Sequence, residues 1–199
     1  MSLRLRMLSL HVPRELLSVE LERVRTMTVS ALDSIIEEHC PGVDIPGQHR
    51  GTRDLDGRRV EMAAMHRERV DLLVKCLGVE RAVELGRERL FDVGIRLGEE
   101  ARTRLGVGDS LDDILRAARI LYQVLGIEFT FEPGEGGGTM YVHRCALSRC
   151  YSELTCRVMS ATDEGVLRGL APSLEMEFIR TIPGGAKRCE AKVLIDAGR

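Results

Sequence analysis

The sequence predicts an α+β fold: N-terminal helices followed by an antiparallel four-stranded sheet, built from two hairpins separated by a helix, with helices packed on the sheet. Three observations carry that expectation. Apolar residues recur at a helical period through the first 125 positions, the period switches to two at Ile127, and a second pair of alternating segments follows an intervening helical stretch. The expected division is an N-terminal arm, helix and loop over 1–59 and an α+β domain over 60–199.

The opening "MSLRLRMLSLHV" alternates apolar and basic residues and reads as a strand or packed arm. It lacks the continuous apolar run and small-residue cleavage site of a signal peptide. Residues 13–40 read as a helix. Pro13 suits a first turn, and Leu17, Leu21, Val24, Leu32 and Ile35 form one stripe. Residues 41–59, rich in Gly, Pro and charge, read as a loop. Val60 to Arg104 is helical again, with a break at Leu77-Gly78. Gly86, Gly94 and Gly98 lie inside its second half, at a cost of roughly 1 kcal/mol each relative to Ala. Their spacing in multiples of four points to close approach of another backbone.

"GVGDSLDDILRAARILYQVLG" is the clearest helix. Ser110 and Asp113 resemble a capping box, and Gly126 is a natural stop. "IEFTFE" and "TMYVHR" flank the turn "PGEGGG" as a hairpin. That glycine run lacks the Lys-Ser/Thr ending of a phosphate loop and leads into a strand. A helix from about Ala146 to Gly169 precedes "SLEMEFIRT" and "KRCEAKVLID", two more strands around "IPGGA".

Composition narrows the function. Hydrophobic residues are 44% and charged residues 30%, as in soluble globular chains. A net charge of −2, 4% aromatic residues and no Trp argue against nucleic-acid binding. No apolar run approaches the ~20 residues of a membrane span. A cytoplasmic, reduced setting is expected, in which six cysteines favour core, metal or catalytic roles over disulfides. Cys40 and Cys76 end helical segments and are expected to pack. His11, His39, His49 and His66 are scattered, without a metalloprotease arrangement.

Three cysteines fall within twelve residues, Cys145 to Cys156. On a continuous helix, Cys145, Ser148, Ser152, Cys156, Ser160 and Asp163 share a sector of roughly 120°. A stripe of small side chains with one carboxylate reads as a pocket wall or as a close-packing face. Leu154, Val158, Ala161 and Cys150 lie on packing sectors. Cys145, expected at a helix N-terminus beside His143 and Arg144, meets conditions that lower a thiol pKa, and is the nucleophile candidate. Asp163 would move the proton, with His143 or Arg144 stabilising charge. Cys145 and Cys156, about 16 Å apart along such a helix, could share an ion only if the helix begins after Cys150. Cys156, Asp163 and Cys189 form the more feasible metal set, which leaves zinc or iron open as a cofactor.

Residues from about Leu121 to Asp196 resemble the L-2-amino-thiazoline-4-carboxylic acid hydrolase-like family, and more distantly the 4-vinyl-reductase sensor domains and transport-particle subunits of related fold. The resemblance rests on "HRCALSRC", "CRVMSATDEGVLRGLAPSLEMEFIRT" and "PGGAKRCEAKV". It maps onto Cys145, Cys156, Asp163, Pro172, Leu174, Gly185 and Cys189, and departs at Ser160, where the family has a second cysteine. It implies a pocket between helix and sheet, hydrolysis of a small cyclic C–N bond in some members, ligand or metal sensing in others, and paired subunits. Two readings therefore stand: a hydrolase using Cys145, Asp163 and His143, or a non-enzymatic small-ligand or metal-binding regulator using the same pocket. An assembly subunit held through helix 13–40 would instead leave a large apolar face exposed on that helix.

Overall fold

A computed structural model describes residues 2–47 and 54–195. Six helices run in chain order: α1 (Leu3–Leu10), α2 (Arg14–His39), α3 (Leu55–Leu77), α4 (Val79–Leu105), α5 (Leu111–Leu125) and α6 (Glu153–Leu170). Strands β1 (Ile127–Gly134) and β2 (Gly137–Cys145) precede α6, and β3 (Leu174–Arg180) and β4 (Cys189–Ile195) follow it. The antiparallel sheet has the order β1-β2-β4-β3, so the second hairpin docks on the first through β4. The expected α+β architecture is the one observed. His49 and most of the expected loop's centre lie outside the described residues.

The local signals act as their chemistry requires. Ser110 Oγ accepts from the Asp113 N–H at 3.2 Å to start α5, and Gly126 at φ 68° ends it. Gly78 divides α3 from α4. Three expectations are corrected. The opening segment is a helix: the Ser2 hydroxyl accepts from the Leu5 N–H, and its proton goes to the Leu105 carbonyl. Leu5 and, just beyond the helix, Val12 are buried, while Leu3, Met7 and Leu10 face solvent, so the segment packs as an arm but not as a strand. Cys40 and Cys76 are disulfide-bonded across 6.1 Å between Cα atoms, tying the C-terminal ends of α2 and α3. The helix expected from Ala146 breaks: a four-residue 3-10 turn (Ala146–Arg149) follows β2, and α6 starts only after Ser152.

Two cores fill the molecule. One joins α1, α2 and α5 to the sheet, and the other joins α2, α3, α4 and α6. Val24, Tyr151 and Val166 touch both. The apolar stripe of α2 is buried rather than presented to a partner; Val19 is its one large hydrophobic residue among the exposed ones.

α4 and α6 pack backbone to backbone. A Cβ at Gly94 would stand 2.2 Å from the Thr162 carbonyl oxygen, and one at Gly98 would stand 2.3 Å from that of Val166. The facing residues on α6 are Gly165 and Gly169. Gly94 and Gly98 therefore serve close helix approach, as their spacing suggests, whereas Gly86 faces the Val158 side chain. Gly94→Ala is expected to destabilise the fold by about 3 kcal/mol in urea unfolding, because overpacking outweighs the roughly 1 kcal/mol of helix propensity gained. An unchanged midpoint would show that the helices separate without cost.

Candidate functional site

Where β2 ends, the chain turns through Cys145 into the 3-10 turn and then into α6. These three elements, with α2, α3 and α5, line a partly open cavity of about 70 Å³. A single water occupies roughly 10–15 Å³ on the same kind of measure, so the space suits a small molecule. Its walls are mostly apolar, with Met62, Leu125, Val142, Leu147, Met159 and Phe178 among them. The polar exceptions come from Thr28, His66, Ser148, Tyr151, Ser160, Thr162, Asp163 and Tyr122, and from the thiols of Cys145, Cys156 and Cys189.

Asp163 sits at the centre. The residue is largely buried, and its carboxylate borders the cavity. Burial, and then the neighbouring Glu164, push its pKa up to about 7; the Tyr122 hydroxyl, which donates to it, pulls the other way. Next to it on α6, Thr162 Oγ1 is buried without a hydrogen-bond partner among the described residues. Burying a hydroxyl in that way costs on the order of 1–3 kcal/mol.

A second polar chain crosses the opposite wall. His66 is fully enclosed, with Nε2 2.7 Å from Thr28 Oγ1 and Nδ1 2.8 Å from the Tyr151 hydroxyl. Thr28 spends its own proton on the Val24 carbonyl at 2.8 Å, so it accepts from His66 Nε2–H. Nδ1 is then the acceptor, and Tyr151 donates to it. The imidazole is neutral: burial, with Arg69 adding repulsion, lowers its pKa to about 3. Tyr151 itself lines the cavity.

The structure sorts the residues expected at the site. Cys145, Ser148, Cys156, Ser160, Asp163 and Cys189 all line the cavity. Cys145 arrives there at the end of β2 and Ser148 on the 3-10 turn, with Ser148 Oγ donating to the Cys145 carbonyl at 2.7 Å, rather than on the helical face. Ser152 does not line the cavity; it caps α6 by accepting from the Thr155 N–H. His143 and Arg144 are exposed, with His143 beside Thr130 at 2.8 Å and Arg144 paired with Glu128 at 3.0 Å, so neither reaches the thiol. Cys145 lacks the α-helix dipole expected for it, since it precedes only the 3-10 turn. Burial raises its thiol to about 11, and that of Cys156 to about 12. Cys150 packs against the core.

Cys156, Asp163 and Cys189 share the cavity wall without forming a ligand set. Among the described residues no group of three or more His, Cys, Asp or Glu side chains is arranged to hold a metal ion. Cys189 Sγ already accepts from the Ile182 N–H at 3.2 Å. Sequence reasoning missed Tyr122, Tyr151, His66 and Thr28 as site residues. A His on the buried stripe of α3, four positions from Met62, was the available signal.

The polar wall leads outward. Arg87 of α4 donates to Glu164 at 2.7 Å, to Ser160 Oγ at 3.1 Å and to the Arg157 carbonyl at 2.7 Å. Ser160 and Phe178 border both the cavity and an open polar cleft between α6, β3 and the β3–β4 turn. Among the described residues no helix is long and apolar enough to cross a membrane.

His66 and Asp163 have opposed effects on stability. His66 is neutral in the fold but protonates below about 6.5 when unfolded, so its contribution is lost as pH falls from 6.5 toward 3. Asp163 holds its proton to about 7 in the fold but only to 3.8 when unfolded, so its contribution is lost as pH rises from 3.8 to 7. Between about 4 and 6.5 the two slopes, each about 1.4 kcal/mol per pH unit, cancel. Asp163→Asn should unmask His66, gaining about 3 kcal/mol relative to wild type between pH 4 and 6.5. Urea midpoints across that range measure it, and parallel curves for the two proteins would refute the pairing.

No family model and no curated protein matches the chain. Among solved structures, the phenol-responsive sensory domain of the transcription activator PoxR, in complex with phenol, is similar at 17% identity. The match covers 83% of this chain and 89% of that one with a TM-score of 0.50. A trafficking protein particle complex subunit 3 from Naegleria fowleri, covalently bound to palmitic acid, aligns at 11% identity, over 89% of this chain and 96% of that one, with a TM-score of 0.42. The first likeness is one of fold.

Proposed function

We propose that this chain is a ligand-binding domain of the sensory type, taking a small, largely apolar molecule with one hydroxyl into the cavity against Asp163. One observation carries the reading: a carboxylate borders an otherwise mostly apolar cavity, and the Thr162 hydroxyl next to it is buried without a partner among the described residues. Buried polar groups are ordinarily matched by partners, so these favour a ligand that brings one. Tyr151 adds an acceptor on the opposite wall. The likeness to a phenol-responsive sensory domain supports the same class of ligand, a neutral ring with a hydroxyl.

The hydrolytic alternative asks Cys145 to act as a thiolate. With its thiol held near 11, roughly one molecule in ten thousand is ionised at neutral pH. Binding needs no thiolate, and no help from His143 or Arg144.

Phenol titrated calorimetrically into the full chain is the direct test. The hydroxyl of phenol donates a stronger hydrogen bond to a carboxylate than to the carbonyl oxygen of a carboxylic acid. Affinity should therefore be about tenfold weaker at pH 6 than at pH 8, following Asp163 through about 7. Asp163→Asn should lose that dependence and bind about tenfold more weakly at pH 8. Absence of binding at millimolar phenol, or binding indifferent to Asp163→Asn, would refute the reading.

A further inference from the structure

Two more apolar cavities adjoin the first. One of about 100 Å³ lies between α1, α2, α4 and α5, against Leu16, Leu97 and Ala101. Another of about 60 Å³ lies between α5, α6 and the sheet, against Phe129, Met140 and Leu167. Tyr122 and Asp163 border all three.

Tyr122 occupies the inner face of α5 with 9% of its surface accessible. Two contacts hold its ring across the junction. Its hydroxyl donates to Asp163, and its ring meets Phe129 edge-on, 5.2 Å between centroids at 76°. Edge-to-face pairs of this kind are favourable beyond the area they bury. The remaining shared wall between the first and second cavities is thin: Val24, Leu125 and Thr162 border both. Thr162 Oγ1, without a partner, lies on that boundary.

We propose that the three cavities are lobes of one chamber and that Tyr122 is its partition, the residue that sets how large a ligand the chamber admits. With the ring in place, each lobe takes one small ring. With the ring removed, the lobes merge and accept a neutral hydroxyl-bearing molecule of two rings, one on each side of Asp163. This inference rests on the ligand-binding reading above and adds to it a residue that determines specificity.

The test compares phenol with 4-phenylphenol by calorimetry on the full chain. Wild type should prefer phenol. Tyr122→Leu should shift the affinity ratio toward 4-phenylphenol by roughly tenfold or more. Adding Ala101→Phe, which fills the second lobe without touching the first, should cancel that gain. Tyr122→Phe keeps the ring and should keep the wild-type ratio, whereas Tyr122→Met removes the ring while keeping more of its packing, and is the variant that decides the question should Tyr122→Leu fail to fold. A wild-type ratio in folded Tyr122→Leu or Tyr122→Met overturns the partition while phenol binding by wild type leaves the ligand-binding reading standing. A gain that survives Ala101→Phe overturns the second lobe. Binding of neither probe by any of the proteins overturns both readings together.

Discussion

The backbone contact between α4 and α6 is the constraint on which the rest depends. Gly94 and Gly98 lie against Gly165 and Gly169 with no room for a Cβ at either α4 position. That closeness sets the depth at which α6 runs through the protein, and α6 carries Cys156, Ser160, Thr162 and Asp163. A helix held further out would leave Asp163 at the margin, where water would return its carboxylate to an ordinary pKa. Held where it is, it places a carboxylate at the meeting point of three apolar cavities.

A buried acid and a buried imidazole are expensive to keep, and among the described residues neither has an ion pair that would offset burial. The protein meets the two costs differently. His66 stays neutral and is satisfied at both nitrogens, which orients Tyr151. Asp163 has one donor, Tyr122, and beside it Thr162 has none. The first arrangement is complete and rigid. The second has hydrogen-bonding capacity to spare, which is why it, and not the histidine, is read as the ligand's contact. Charge balance at the cavity's outer wall comes from Arg87, which ties Glu164 and Ser160 together where the cavity meets the open cleft.

Much of this was legible in order along the chain. The change of period at Ile127, the cap at Ser110, the stop at Gly126 and the glycines of α4 are local signals, and local signals act through neighbours a few residues away. They suffice for the α+β class and for most element boundaries. The stripe of small residues also pointed to a cavity wall. It misled where it assumed one continuous helix: the 3-10 turn ends at Arg149 and α6 starts afresh after its cap Ser152, so the sector drawn from Cys145 to Asp163 was never a single face.

What depended on the tertiary fold was every property set by distance through space. Burial reversed the expected character of Cys145, because a thiol enclosed by apolar side chains is held protonated whatever residues flank it in sequence. Strand alternation and a bulge turned His143 and Arg144 to solvent. The pairing of Cys40 with Cys76, the helical state of the first residues, and the convergence of Tyr122, Tyr151 and His66 on one cavity all join residues far apart in the chain. Periodicity states which side of an element faces inward; only packing states what it faces, and the chemistry of a site belongs to the second.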